Sequence, residues 1–122
     1  MLGYVTLGTN QHEKALAFYD ALLGSIGHQR IFEDGDFIAW GVGLDQPAIA
    51  ITKPYNGEAA SVGNGVMVAI QMPDKVAVDT LYNKAIELGA TDEGAPGQRG
   101  EGFYAGYFRD LDGNKLNAFV FA

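Results

Sequence analysis

The 122-residue chain contains no cysteine. That excludes disulfides, thiolate nucleophiles and thiolate-built zinc sites, and it fits a reducing compartment. No apolar stretch approaches the roughly 20 residues that a membrane span needs, and no charged segment followed by an apolar one opens the chain as a secretory leader would. The expected setting is therefore cytoplasmic, away from any membrane. Basic residues are few: 8 Lys and Arg stand against 15 Asp and Glu, giving a net charge of −7 with no basic run. Nucleic-acid binding rests on cations that neutralise phosphates, so nucleic acid is not an expected partner.

Catalytic residue types are equally scarce. The two histidines, His12 and His28, have no second His or carboxylate at ligand spacing and read as solvated surface residues. Ser25 and Ser61 lie in turn segments without a Gly-x-Ser-x-Gly elbow, which leaves a hydrolytic triad without support. Gly41-Val42-Gly43 and Gly63-Asn64-Gly65 are too short for a dinucleotide fingerprint and open no helix. No residue stands out as catalytic.

What the chain does have is apolar material, 48% of its residues, enough for the core of one domain of this length. It also has an internal repeat. Leu2–Leu7 alternates as a strand, and Asn10 with Glu13 has capping-box spacing. Ala15, Phe18, Tyr19 and Leu22 then mark the buried face of a helix that Gly24 closes. Strands at Gln29–Glu33, Phe37–Trp40 and Ala48–Thr52 follow, separated by turn signals. The order then restarts: strand Val66–Gln71, helix Asp74–Leu88 closed by Gly89, and strands at Thr91–Glu93, Phe103–Arg109 and Asn114–Phe121. Strand-helix-strand-strand-strand therefore occurs twice, with module one at 1–55, a polar linker at 56–65 and module two at 66–122.

Two segments resemble the vicinal oxygen chelate superfamily of glyoxalases, bleomycin resistance proteins and extradiol dioxygenases. One is Tyr4-Val5-Thr6-Leu7-Gly8 with Ala15-Leu16-Ala17-Phe18-Tyr19 after it. The other is Tyr107-Phe108-Arg109-Asp110-Leu111-Asp112-Gly113-Asn114-Lys115-Leu116, where Leu111 replaces the proline common in the family. The resemblance covers the whole chain. It implies an α+β fold in which two βαβββ modules form one curved eight-stranded mixed sheet around a cavity, with the helices on the outer face. It also implies a homodimer, since family members commonly complete or cover their cavities with a second chain.

Metal-dependent members draw His or carboxylate ligands from the first and last strands of each module. Carried over one at a time, those positions fall on Tyr4, Ile49 (or Ile51 on the same face), Met67 and Asn117. A phenol, an aliphatic chain, a thioether and a neutral amide do not make a site for a divalent ion, so no metal or other cofactor is expected. Strand parity, with a hairpin centred on Asp112-Gly113 that pairs Phe108 with Asn117, places Tyr4, Thr6, Met67, Gln71, Phe108, Asn117 and Phe119 on the concave face. Tyr104 joins them, and the facing of Trp40 is left open. The run Gly94–Gly102 reads as a mobile hairpin connection or as a lid whose Arg99 meets an anionic group. These ten residues form the expected ligand site, apolar and aromatic with a few polar tips. Two functions fit it: a metal-independent binder of a small, partly aromatic ligand, or a glyoxalase, lyase, isomerase or dioxygenase with unconventional metal binding.

Overall fold

A computed structural model describes all residues, Met1–Ala122, and they gather into two compact units, Met1–Val62 and Gly63–Ala122. The first unit holds β1 (Tyr4–Gly8), α1 (His12–Gly24), β2 (Gln29–Asp34), β3 (Phe37–Gly41) and β4 (Ala48–Thr52). The second holds β5 (Val68–Gln71), α2 (Lys75–Glu87), β6 (Thr91–Gln98), β7 (Tyr104–Arg109) and β8 (Lys115–Val120). Each unit forms one four-stranded mixed sheet, in the orders β1-β4-β3-β2 and β5-β8-β7-β6. The first strand of each unit runs parallel to the last, and the remaining pairs are antiparallel. The α+β class and the doubled βαβββ order follow the sequence expectation. The eight strands hydrogen-bond as four and four.

In each unit the helix covers one sheet face. Ala15, Phe18, Tyr19, Leu22 and Leu23 are the buried side of α1, and Val78, Leu81, Tyr82 and Ala85 that of α2. The second helix starts as its sequence indicates, with the Asp74 carboxylate accepting from Ala77 N at 2.8 Å. The first does not. Its N-cap position is Gln11 rather than Asn10, and Thr9 Oγ1 accepts from Gln11 N. Asn10 instead exchanges two side-chain hydrogen bonds with the Ala60 backbone. That clasp ties the front half of the expected linker to the first unit. α1 also runs through Gly24, and Gly27, at φ +85°, is the residue that takes the left-handed conformation after it.

Strand register decides which side chains share the helix-covered face, because partners across a ladder point the same way. In the first unit Val5↔Ile49, Leu7↔Ile51, Ile38↔Ile51 and Trp40↔Ile49 set the helix side. Tyr4↔Ala48 and Thr6↔Ala50 set the open side. Ile49 and Ile51 therefore point to the helix side, Ile51 buried and Ile49 half-buried, and the open-face residues of β4 are alanines. This corrects the carried-over position on β4.

In the second unit Phe108 pairs with Leu116 and Tyr107 with Asn117. The expected register is off by one residue because the turn is longer than two residues. Gly113 N donates to Asp110 O, Asp110 N to Asn114 O, and Asn114 N to Asp110 Oδ1, with Gly113 at φ +92°. A three-residue loop of this kind ends on a left-handed glycine. The slip moves Phe108 from the open face into the core, where it is fully buried.

The open sheet faces as candidate functional site

In the first unit the open face forms an apolar dish of about 320 Å³. Tyr4, Phe32, Phe37, Ala39 and Ala48 supply its floor and wall, and Gln46 a polar tip. Phe37 stands edge-on to Tyr4, with ring centroids 5.6 Å apart, and edge-on to Phe32 at 5.9 Å. These are favoured aromatic geometries. A β-bulge builds the wall: Arg30 pairs with Trp40 and Phe32 with Ala39, which leaves Ile31 as the extra residue. Ile31 and Phe32 both line the dish as a result. The two alanines keep the floor low. Tyr4, 61% exposed, presents its phenol to whatever enters.

The second unit's open face carries Ala69, Gln71, Tyr107, Asn117 and Phe119 by register. Phe119 stacks on Phe103 at 5.4 Å and meets Phe121 edge-on at 5.3 Å. Asn117 is 1% exposed, and its Oδ1 has no hydrogen-bond partner. Buried polar atoms are nearly always paired, so this carbonyl oxygen stands out on the face. Around Tyr107 lie two cations, the Arg99 guanidinium and the Lys115 ammonium, each 5.5 Å from the ring centroid.

Of the expected site residues, Tyr4 and Thr6 lie on the open face of the first sheet, and Gln71, Asn117 and Phe119 on that of the second. Met67 is exposed and immediately precedes β5. Arg99 follows β6 directly, because the glycine run expected as a loop is strand as far as Gln98. Three residues face the helices instead. Trp40 is 1% exposed, lies 5.7 Å from the Tyr19 ring and donates from Nε1 to Asp20 Oδ1 at 2.8 Å. The Arg30 fork on that carboxylate, backed by the indole, holds Asp20 below the usual carboxylate range although partial burial opposes it. Tyr104 donates to Asp79 of α2 at 2.7 Å, and that bond raises its pKa. Phe108 packs under α2 for the reason given above.

Sequence reasoning missed Ile31, Phe32, Phe37 and Gln46. Alternation through Phe37-Ile38-Ala39-Trp40 offers both parities, and the ladder with β4 and the part-buried bond from Trp40 to Asp20 of α1 fix which is which. The bulge leaves no mark in composition.

The donor set does not suit the divalent ion that the superfamily is known for. No group of three or more His, Cys, Asp or Glu side chains stands close enough to hold an ion. The positions carried over hold a phenol in contact with Phe37, a thioether and a neutral amide, and the open face of β4 adds only Ala48 and Ala50. Of these only the Asn117 amide oxygen suits a hard cation, and a single neutral donor does not make a site for one.

Comparison with known proteins agrees with this architecture. The family model for the Glyoxalase/Bleomycin resistance protein/Dioxygenase superfamily matches residues 1–118. A glyoxalase/bleomycin resistance protein from Albidiferax ferrireducens is 32% identical with a TM-score of 0.89, covering 98% of each chain. A glyoxalase/bleomycin resistance protein/dioxygenase family enzyme from Burkholderia phytofirmans is 21% identical, with a TM-score of 0.78 over 98% of each chain. Lactoylglutathione lyase from Agrobacterium tumefaciens shares the fold at 18% identity and a TM-score of 0.72, over 98% of this chain and 92% of that one. No curated protein sequence matches the chain. With the repeat, the two open sheet faces and these matches together, the chain belongs to the glyoxalase/bleomycin resistance protein/dioxygenase superfamily.

Proposed function

We propose that the protein binds a small, partly aromatic molecule on its open sheet faces and does so without a divalent metal. The dish of the first unit carries this reading. It is concave, lined by three aromatic rings with a phenol and an amide at its edge, which is the usual composition of a small-molecule site. Tyr4 is part of that aromatic wall at a position where metal-dependent relatives place a ligand. No side chain there is paired as nucleophile and base.

A thermal-shift screen of small aromatic ligands, run with chelator and with Zn²⁺, Ni²⁺ or Mn²⁺, tests the reading. Ligand at about 100 times its Kd stabilises the folded state by about 2.7 kcal/mol, and that gain should be the same in chelator and in metal. Phe37→Ala should remove it. Stabilisation or turnover that appears only with metal would instead establish the metal-assisted enzyme. The homodimer that family membership suggests belongs to the same proposal, and light scattering of the purified chain reads it directly.

A further inference from the structure

Of the three arginines in the chain, Arg30 pairs with Asp20 and Glu33, and Arg109 with Glu93. Arg99 has no carboxylate, and its guanidinium is held by other means. It lies against the Tyr107 ring, and Nη2 donates to Ala95 O at 2.6 Å. It crosses β6 where that strand has no side chains: a Cβ on Gly97 would stand 2.8 Å from Nη1, and one on Gly94 3.2 Å from Nη2. The two glycines therefore form a seat for the cation. A guanidinium offers five N–H donors in a rigid fork, and Ala95 O occupies one.

Two features beside that seat point to what fills it. Lys115 faces the same Tyr107 ring, and its nearest carboxylate, Glu93, is 4.0 Å away and already bonded to Arg109 at 2.9 Å. Three of the chain's 8 basic residues thus gather around this face although the net charge is −7. Asn117, the cross-strand partner of Tyr107, adds its buried, unpartnered Oδ1. Partners across a ladder stand roughly 4.5–5.5 Å apart at Cβ, so this acceptor adjoins the cation seat. Phe119, two residues on along the same face, supplies an apolar surface.

We infer that the open face of β6, β7 and β8 is a binding site for an aromatic carboxylate that bears a hydroxyl or N–H donor. The carboxylate takes the Arg99 fork with Lys115 adding charge, the donor bonds Asn117 Oδ1, and the hydrocarbon lies against Phe119. Because Asn117 is buried, its bond to the ligand forms out of water, where a donor counts for most. The inference rests on the reading of the open sheet faces as ligand sites, but its observations come from the second unit and not from the dish of the first.

Titration calorimetry or NMR with meta-hydroxybenzoate, benzoate and benzyl alcohol provides the test. Hydroxybenzoate should bind saturably and weaken with salt, benzoate should bind less tightly, and benzyl alcohol should not bind. Arg99→Gln should lower hydroxybenzoate affinity roughly tenfold or more, with Arg99→Lys recovering part of it. Asn117→Leu should erase the preference for hydroxybenzoate over benzoate. Gly97→Ala, which displaces the guanidinium without touching its charge, should also weaken binding. Absence of saturable hydroxybenzoate binding up to about 10 mM would overturn the inference. So would an Arg99→Gln protein that melts lower yet binds unchanged, since Arg99 would then merely brace β6 on β7. Hydroxybenzoate binding that is lost in Phe37→Ala but kept in Arg99→Gln would leave the dish standing and remove this site.

Discussion

Replacing Asn117 by leucine should make the ligand-free protein more stable. The side chain is 1% exposed, and its Oδ1 finds no donor. A buried polar atom left unsatisfied costs about 1–3 kcal/mol, and leucine removes that cost at similar size. The added apolar carbon gains at most about 0.8 kcal/mol from burial. Crowding against Ala69 and Tyr107, its partners on the two neighbouring strands, takes some of this back. The net gain is about 1–2 kcal/mol. With an unfolding entropy of about 2.1 cal/mol/K per residue, this raises Tm by about 4–8 °C. Urea melts of wild type and variant at pH 7, with slopes compared so that only the midpoint shifts, give the number. Asn117→Asp is the control: it puts a charge at the same place and should destabilise at pH 7, with the deficit shrinking as the carboxyl protonates in acid. A leucine variant less stable than wild type would show that Oδ1 is satisfied in solution, and the case for a waiting acceptor would go with it.

Other outcomes follow from the same geometry. Phe108→Ala should cost about 3–5 kcal/mol in urea melts, as for a fully buried ring; a loss under 1 kcal/mol would put the ring back on the open face. Asp20, held low by the Arg30 guanidinium, contributes stability that is present above the ordinary carboxylate pKa and lost as pH falls through the depressed one. Asp20→Asn should flatten that acid limb, by less than about 1 kcal/mol because the pair is partly solvated. Burial and the bond to Asp92 push Tyr82 up to about 12. Its neutral form is thus favoured by folding, and stability should decline as pH rises from about 10 towards 12. Tyr82→Phe should make that decline shallower in alkaline melts, leaving the part owed to Tyr104 and its bond to Asp79.

The sequence disclosed the architecture because its signals were redundant. Buried positions at three- and four-residue steps in α1 and α2, a glycine near the end of each and the strands that follow all agree with one another and with the repeat. Site residues were less legible because each depended on a single register choice. Reading Asp112-Gly113 as a two-residue turn displaced Phe108 by one position, whereas Asp110 closes a longer loop with three hydrogen bonds that composition does not advertise. The bulge at Ile31 is equally silent. The β6 glycines read as loop because glycine weakens a strand; here they make room for Arg99. Tyr4, Gln71, Asn117 and Phe119 lie on the face that alternation gives them, because their strands have no bulge.

The extra residue in β2 sits on the outermost strand of its sheet. Taking one residue out there would straighten the ladder and strip a side chain from the rim of the dish, while the Arg30–Trp40 pairing and the bonds to Asp20 on the far side stayed as they are. The shape of that rim is thereby uncoupled from the hydrophobic interior: a one-codon deletion should reshape the dish and leave the core packing in place.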